Sequence, residues 1–455
     1  MLINSSPDVY EKLIRLGGMA PDDILSKPTT GPRESRLAYS ASEKSPIPGV
    51  YKAQMPNGKT ISLLRVMFTD FCKMDCFYCP NSHWVPRKRY AFKVEELANL
   101  FMELQKRETV AGLFLSSGIA GSGSKTTEKL LKVVDMVRNK HGFKGYIHMK
   151  VMPGTEYPLV EEAYRLGTRL SVNIETPSVD HMKKLSTMKD MKKDILDPME
   201  WVNKLTRTHG NGAVGQATQM VVGAADESDR DIFKRIDQLY GEWDLKRVYY
   251  APFFPVRHTP LEEHPWTPME RTNRLYQVDW LKRIYKFTND EIGRAFNSSG
   301  FLSLDDDPKM AIAMENLDAF PVDINAATRE QLLRVPGVGP TSVDRIIQNR
   351  ARNKIDTWRD LEAMGVVRKR AWPFLALPGK RPTTAKQLKL DLFGERVRHE
   401  ARDEVAAPKV SAIPLAAATK APGSCGVAGS CVGCSMYGAP GHPGAAGTTA
   451  TRPPA

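Results

Sequence analysis

Cys72, Cys76 and Cys79 stand in the segment FTDFCKMDCFYCPNSHW, Phe68 to Trp84, with the spacing C-x3-C-x2-C. Three of the chain's six cysteines thus fall within eight residues. Thiolates so placed can curl around one metal centre. A structural zinc site normally takes four ligands, and the nearest fourth is His83. A [4Fe–4S] cluster also takes four cysteines as a rule. With only three, one iron stays open and becomes a place to bind a ligand. From the spacing alone, a Cys3His zinc knuckle and a three-cysteine cluster loop are both open readings. No further cysteine occurs between Cys79 and Cys425.

A chain of 455 residues, 41% hydrophobic and 26% charged, has room for two or more domains with a sizeable core. No run of roughly 18 apolar residues predicts a membrane-spanning helix. The start, MLINSSPDVYEKLIRLGG, lacks the basic and apolar regions of a secretory signal, so a cytoplasmic protein is expected. Clustered thiols in a reducing compartment more often bind metal or do chemistry than form disulfides. The net charge of +13 is compatible with a polyanionic partner. Residues 324–400 hold sixteen Lys/Arg against eight Asp/Glu, 16 − 8 = +8, so over half the excess is concentrated there.

The elements that must position the cysteines are legible as a rhythm. From Ile61 onward short apolar runs recur: ISLLRVMFT, GLFLSS, YIHMKV, RLSVNIE, QATQMVVGA and RVYYAPFFPV. Amphipathic segments such as TTEKLLKVVDMVRNK, PLVEEAYRLG, PMEWVNKLTRTH and RDIFKRIDQLYGEW separate them. Six strand–helix units predict an α/β fold with a parallel sheet, closed or partly closed into a (βα)6 barrel. A doubly wound open sheet is the alternative. The cysteines follow the first strand, and ligands are expected at C-terminal strand ends.

The expected organisation is an N-terminal extension over 1–60, a barrel with flanking helices over 61–320 and a small all-α unit over 321–378. A basic linker over 379–404 and a low-complexity, disordered tail over 405–455 follow. Cys425, Cys431 and Cys434 lie in that tail as incidental thiols, because its surroundings are too poor in apolar residues to shell a metal.

The three-cysteine loop after the first strand, with Tyr78 before the third cysteine, resembles the radical S-adenosylmethionine (radical SAM) superfamily. The resemblance implies that Cys72, Cys76 and Cys79 ligate a [4Fe–4S] cluster whose open iron chelates S-adenosylmethionine. Reductive cleavage then yields a 5′-deoxyadenosyl radical, with an electron from a flavodoxin or ferredoxin. It further implies cofactor contacts from Tyr78, from the backbone of Ser116, Ser117 and Gly118 after the second strand, and from Glu175 at the end of the fourth. Val222 and Gly223, after the fifth, are expected near the adenine. The acidic residue that often follows the second strand in this superfamily is missing from SSGI. With no thiol available within the barrel, Tyr249 or Tyr250 is the expected hydrogen donor, hence a catalytic residue.

In DINAATREQLLRVPGVGPTSVDRIIQNR, Thr328 and Gln331 form a capping box that starts a helix. PGVGP is a tight turn, and a second helix begins at Pro340. The stretch resembles the helix-hairpin-helix motif of DNA repair proteins. On that resemblance Gly337, Val338 and Gly339 offer amides to a DNA backbone without reading sequence, and Arg345 and Arg350 add charge. DTWRDLEAMGVVRKRAWPFL looks like a divergent second copy. Arg87, Lys88 and Arg89 are a further candidate contact. Together the two motifs resemble the DNA modification/repair family of radical SAM proteins over residues 5–400. That implies DNA modification or repair, with DNA and a DNA-repair protein as partners. An RNA base-modifying enzyme and a zinc-stabilised DNA-binding scaffold are the alternatives.

Overall fold

Each of the six apolar runs is a strand in the computed structural model, which describes residues 8–18, 47–54, 60–209 and 214–379. An edge strand β1 (Val50–Gln54) comes first. β2 (Thr60–Met67), β3 (Gly112–Ser116), β4 (Tyr146–Lys150), β5 (Arg169–Ser171), β6 (Gly215–Val222) and β7 (Arg247–Pro252) then pair in chain order, all parallel. The sheet curls into an open half-barrel of seven strands, with β1 antiparallel to β2 at one edge. β3 is buried throughout and β6 nearly so, which is why these runs read as continuous apolar sequence.

Helices return the chain between the parallel strands: α1 (Val9–Gly18) precedes them, and α2 (Val94–Lys106), α3 (Gly123–Asp135), α4 (Tyr157–Leu166), α5 (Val179–Leu185), α6 (Asp197–His209) and α7 (Asp229–Trp243) follow in order. Their apolar residues form one stripe. In α2 it is Leu97, Phe101 and Leu104. Ser122 caps α3 by accepting from the Lys125 N–H, and Ser228 with Asp231 forms a capping box at α7. Part of the expected N-terminal extension belongs to the barrel itself. α1 buries Leu13 and Leu16, and Lys12 pairs with Glu96 of α2 at 2.6 Å.

α8 (Met269–Arg283), α9 (Asn289–Gly293) and α10 (Pro308–Met314) flank β7 and lead to the helical unit. Its helices are α11 (Arg329–Arg334), α12 (Pro340–Arg350), α13 (Trp358–Ala363) and α14 (Arg368–Ala371). The capping box at α11 has both its hydrogen bonds, 2.8 and 3.1 Å. A two-stranded clasp, β8 (Val322–Asp323) with β9 (Leu375–Ala376), ties the unit's start to its end. The unit has its own core, from Ala313 to Leu377. It docks on the barrel flank through Arg334, which grips Glu291 with two bonds of 2.8 Å and stacks on Phe287. The basic linker, the tail and Cys425, Cys431 and Cys434 lie outside the described residues.

Candidate active site

The cysteine loop leaves β2 at the C-terminal mouth of the half-barrel and is bound to its neighbour strand by backbone. The Phe68 N–H donates to the Ser116 carbonyl (2.8 Å), Gly118 N–H to Thr69 (2.7 Å) and Lys73 N–H to Ile119 (2.9 Å). Gly118 is required by this approach, since a Cβ there would sit 2.6 Å from the Phe71 carbonyl oxygen. Arg89 pins the loop from behind by donating to the carbonyls of Asp70, Asn81, Ser82 and Val85. Arg87 turns inward as well, onto Asn81 and Asp70. These two arginines are therefore loop staples and not the outward contacts expected of them. Only Lys88 of that run is well exposed. Asp75 anchors the other side. Burial raises its carboxyl pKa, but bonds from Ser186 and Thr187 outweigh that and hold it below the usual value.

The three thiols face a cavity of about 380 Å³, within the range of small-molecule sites. Tyr78, Ser116, Ser117, Gly118 and Glu175 line it with them, as the sequence suggests. Sequence reasoning missed Lys189. Its ammonium donates to the Tyr78 hydroxyl (3.0 Å) and the Glu175 carboxylate (3.2 Å) and lies 5.5 Å from the Tyr78 ring centroid. Burial pushes the Cys76 thiol pKa up while Lys189 opposes it. Burial lowers that of Lys189, but the negative charge of Cys76 and Glu175 wins and raises it. Tyr78 is raised well above its ordinary value by burial and then by Glu175. Glu175 takes a left-handed backbone (φ 64°), an uncommon conformation for a residue other than glycine. Its Oε2 is buried with no hydrogen-bond partner. Asn173 Oδ1 is orphaned too, on the same wall.

Other expected residues lie elsewhere. Val222 is fully buried, its carbonyl taken by Thr267 and Phe253, and Gly223 packs against Thr267. Neither lines the cavity; Val221 does. Tyr250 faces out of the barrel, edge-on to Tyr276 of α8. Tyr249 sits one pleat below Ala251, where the cavity lining of β7 begins, and neighbours Tyr146 instead. The mouth thus holds neither tyrosine. In the helical unit, Val338 is buried with its carbonyl accepting from Lys309 (2.6 Å), and Gly337 and Gly339 are half-buried. Arg350 donates to the Ile324 carbonyl, while Arg345 is exposed.

Donor chemistry and shape fit an iron–sulfur cofactor. Among the described residues no three His, Cys, Asp or Glu side chains converge as a single ion requires, and the His83 ring lies against the Lys73 carbonyl. Among the described residues, His83 is therefore not gathered with the thiols as a Cys3His knuckle would gather it. Three thiols on a cavity wall, beside orphaned carboxylate and amide oxygens, suit a cluster with a hydroxyl-rich ligand next to it. The fold and site define a half-barrel enzyme class with a three-cysteine cluster loop at its mouth. Residues 66–238 match the family described as the Radical SAM superfamily, and the chain carries a radical SAM domain. Members of this superfamily use a [4Fe–4S] cluster and S-adenosylmethionine. In this chain Cys72, Cys76 and Cys79 are the cysteines that line the cavity.

A search among curated proteins gives no match. Among solved structures, methylornithine synthase (PylB) is 17% identical, with 48% of this chain and 61% of that chain covered and a TM-score of 0.39. The FeFe-hydrogenase maturase HydG from Carboxydothermus hydrogenoformans is 12% identical over 47% of this chain and 49% of that one (TM-score 0.37). Coproporphyrinogen III oxidase (HemN) from Escherichia coli is 12% identical over 56% and 58% (TM-score 0.32). The chain spans about half to three-fifths of the length of these structures.

Proposed function

We propose that the chain is a radical SAM enzyme that modifies or repairs DNA. One observation carries this reading. The helical unit docked on the radical-generating barrel turns a basic face outward, with Arg345, Arg368 and Lys369 exposed beside the turn whose Gly365 and Val367 are exposed and whose Val366 is buried in the unit's core. Exposed Trp372 lies one short helix further on. Cations flanking an aromatic suit a phosphate backbone with unstacked bases beside it. The likeness of residues 325–350 to a helix-hairpin-helix motif supports the same partner. The first turn, Gly337–Gly339, is half-buried against Lys309 and Val367, so the second turn is the better contact. At the mouth, Glu175, Asn173 and the backbone of Ser116–Gly118 orient S-adenosylmethionine, while Tyr78 and Lys189 fix Glu175. Cys72, Cys76 and Cys79 would hold the [4Fe–4S] cluster, which, when bound and reduced by a flavodoxin or ferredoxin, would supply the electron for reductive cleavage of S-adenosylmethionine.

The test uses the full chain, reconstituted anaerobically. DNA is expected to raise 5′-deoxyadenosine yield and to bind with steep salt dependence. Structured RNA binding more tightly than DNA, or a yield indifferent to DNA, overturns the reading. Nucleoside mass spectrometry of a deletion strain then identifies the altered base.

A further inference from the structure

The cysteine loop has a second side. Phe71 and Cys72 are consecutive, yet they face different spaces. Cys72 lines the cofactor cavity, and Phe71 lines a separate hollow of about 560 Å³. Ile119 and Ala120 divide in the same way, and no residue lines both spaces. The wall between them is two backbone segments bonded to each other. Gly118 N–H donates to the Thr69 carbonyl at 2.7 Å, and Lys73 N–H to that of Ile119 at 2.9 Å. Successive Cα atoms lie about 3.8 Å apart, so at Cys72 the wall is one residue thick.

The hollow combines an apolar lining with a cationic rim. Tyr90 and Phe92 line it and are buried, whereas Phe71 is 47% exposed. Lys93, at the start of α2, and Lys129 and Lys132, three apart on one face of α3, line it and are exposed. No Asp or Glu lines it. Glu128 of α3 meets Lys132 at 2.7 Å, so the rim keeps a net positive charge.

Position decides what such a surface can serve. A radical reacts only with an atom it touches, so a substrate seated behind this wall is out of reach of the cavity. An electron crosses a barrier one residue thick by tunnelling. The hollow therefore suits the donor of the electron and not the target of the radical. Electron-transfer encounters bury little area, below about 1,200 Å², and opposite charge steers them. An exposed aromatic among lysines, with no carboxylate in the lining to repel, fits a small acidic partner.

We infer that the face formed by Phe71, Lys93, Lys129 and Lys132 is where an acidic one-electron carrier protein docks and reduces the cluster through Cys72. One electron leaves the carrier, which is oxidised, and enters the cluster, which is reduced; no bond is made or broken. This face serves the cluster whatever the substrate is, so it does not depend on the DNA reading.

The experiment uses the full chain, reconstituted anaerobically, and follows bleaching of the cluster's visible absorbance by stopped flow. Reduced flavodoxin and dithionite are the two donors. With flavodoxin, the wild-type rate is expected to fall steeply as salt is raised. Lys93→Glu combined with Lys129→Glu should lower that rate about tenfold or more at low salt. Phe71→Ala should lower it at low and high salt alike. Dithionite, a small ion that needs no docking face, should reduce the wild type and all variants at nearly the same rate. Iron content confirms that each variant holds its cluster; should Phe71→Ala lose it, the lysine pair decides alone. A flavodoxin rate unchanged by the lysine reversal overturns the docking face, whether DNA or another part of the chain then takes the hollow. An equal loss with dithionite overturns it too, because the effect then lies in the cluster and not in docking. Failure of the DNA reading is read separately, as lost duplex binding with flavodoxin reduction intact.

Discussion

Lys189→Met is the most informative perturbation of the cofactor mouth. The lysine and Glu175 side chains are 4% and 7% exposed and 3.2 Å apart, a buried ion pair. Removing one partner of such a pair costs about 3–5 kcal/mol, because the other charge stays buried without compensation. The surviving Glu175 is badly placed to tolerate that, as its Oε2 already lacks a partner. The cost is roughly two to three and a half orders of magnitude in the folded-to-unfolded ratio. Urea unfolding of the apo chain, followed by circular dichroism, measures it. Glu175→Gln in the same chain removes the stranded charge, so the double variant should recover much of the loss, with a coupling of about 2 kcal/mol or more. A single-variant cost below about 1 kcal/mol, or strictly additive costs, refutes the buried-pair argument. The Tyr78 hydroxyl would then be the only partner that matters.

Replacing Cys72, Cys76 or Cys79 with Ala should remove the cluster, lowering iron from about four per chain to background and abolishing 5′-deoxyadenosine formation. Gly118→Ala should cost about 1–3 kcal/mol and lower cluster occupancy, since its Cβ meets the Phe71 carbonyl carbon as well as the oxygen. Iron content per folded chain checks it. Arg345→Ala, Arg368→Ala and Lys369→Ala combined should weaken DNA binding and flatten the log K against log salt slope by up to about 2.7, that is 0.9 for each lost phosphate contact. The Arg334–Glu291 clamp gives a pH dependence. Burial raises the Glu291 pKa, but Arg334 and Thr288 hold it below 4.5 in the folded chain. A depressed acid contributes stability above its unfolded value, and that contribution is lost as pH falls through the folded value. Acidification below pH 4.5 should therefore lower hydrogen-exchange protection factors in α11, and Arg334→Ala should show the same protection factors at pH 7 as at acid.

What was legible in the sequence is what local chemistry decides. The cysteine spacing lies within one loop, the apolar runs are strands buried on both faces, and the Thr328 capping box closes over three residues. Errors came where one residue of phase matters. Tyr249 and Tyr250 are neighbours on a strand, so they cannot both face inward. The pleat turns Tyr250 outward, and strand depth takes Tyr249 below the mouth. The same slip separates Val222 in the core from Val221 on the cavity wall. Lys189 carried no local signal, being 111 residues from the tyrosine it holds.

Glycine chemistry was legible at the first helical turn, but its purpose was not. Gly337 takes φ 79°, and a Cβ there would meet the Val367 carbonyl at 2.7 Å. Val367 N–H in turn donates to the Gly337 carbonyl at 2.9 Å. That glycine is thus required for the two turns of the helical unit to pack on each other, whatever the unit binds. The exposed glycine, Gly365 at φ 91°, sits in the turn that sequence alone ranked second. A conformational requirement readable in sequence does not say whether a ligand or the protein's own backbone fills the space it opens. At Gly337 the occupant is Val367, and the outward-facing cations lie beside Gly365.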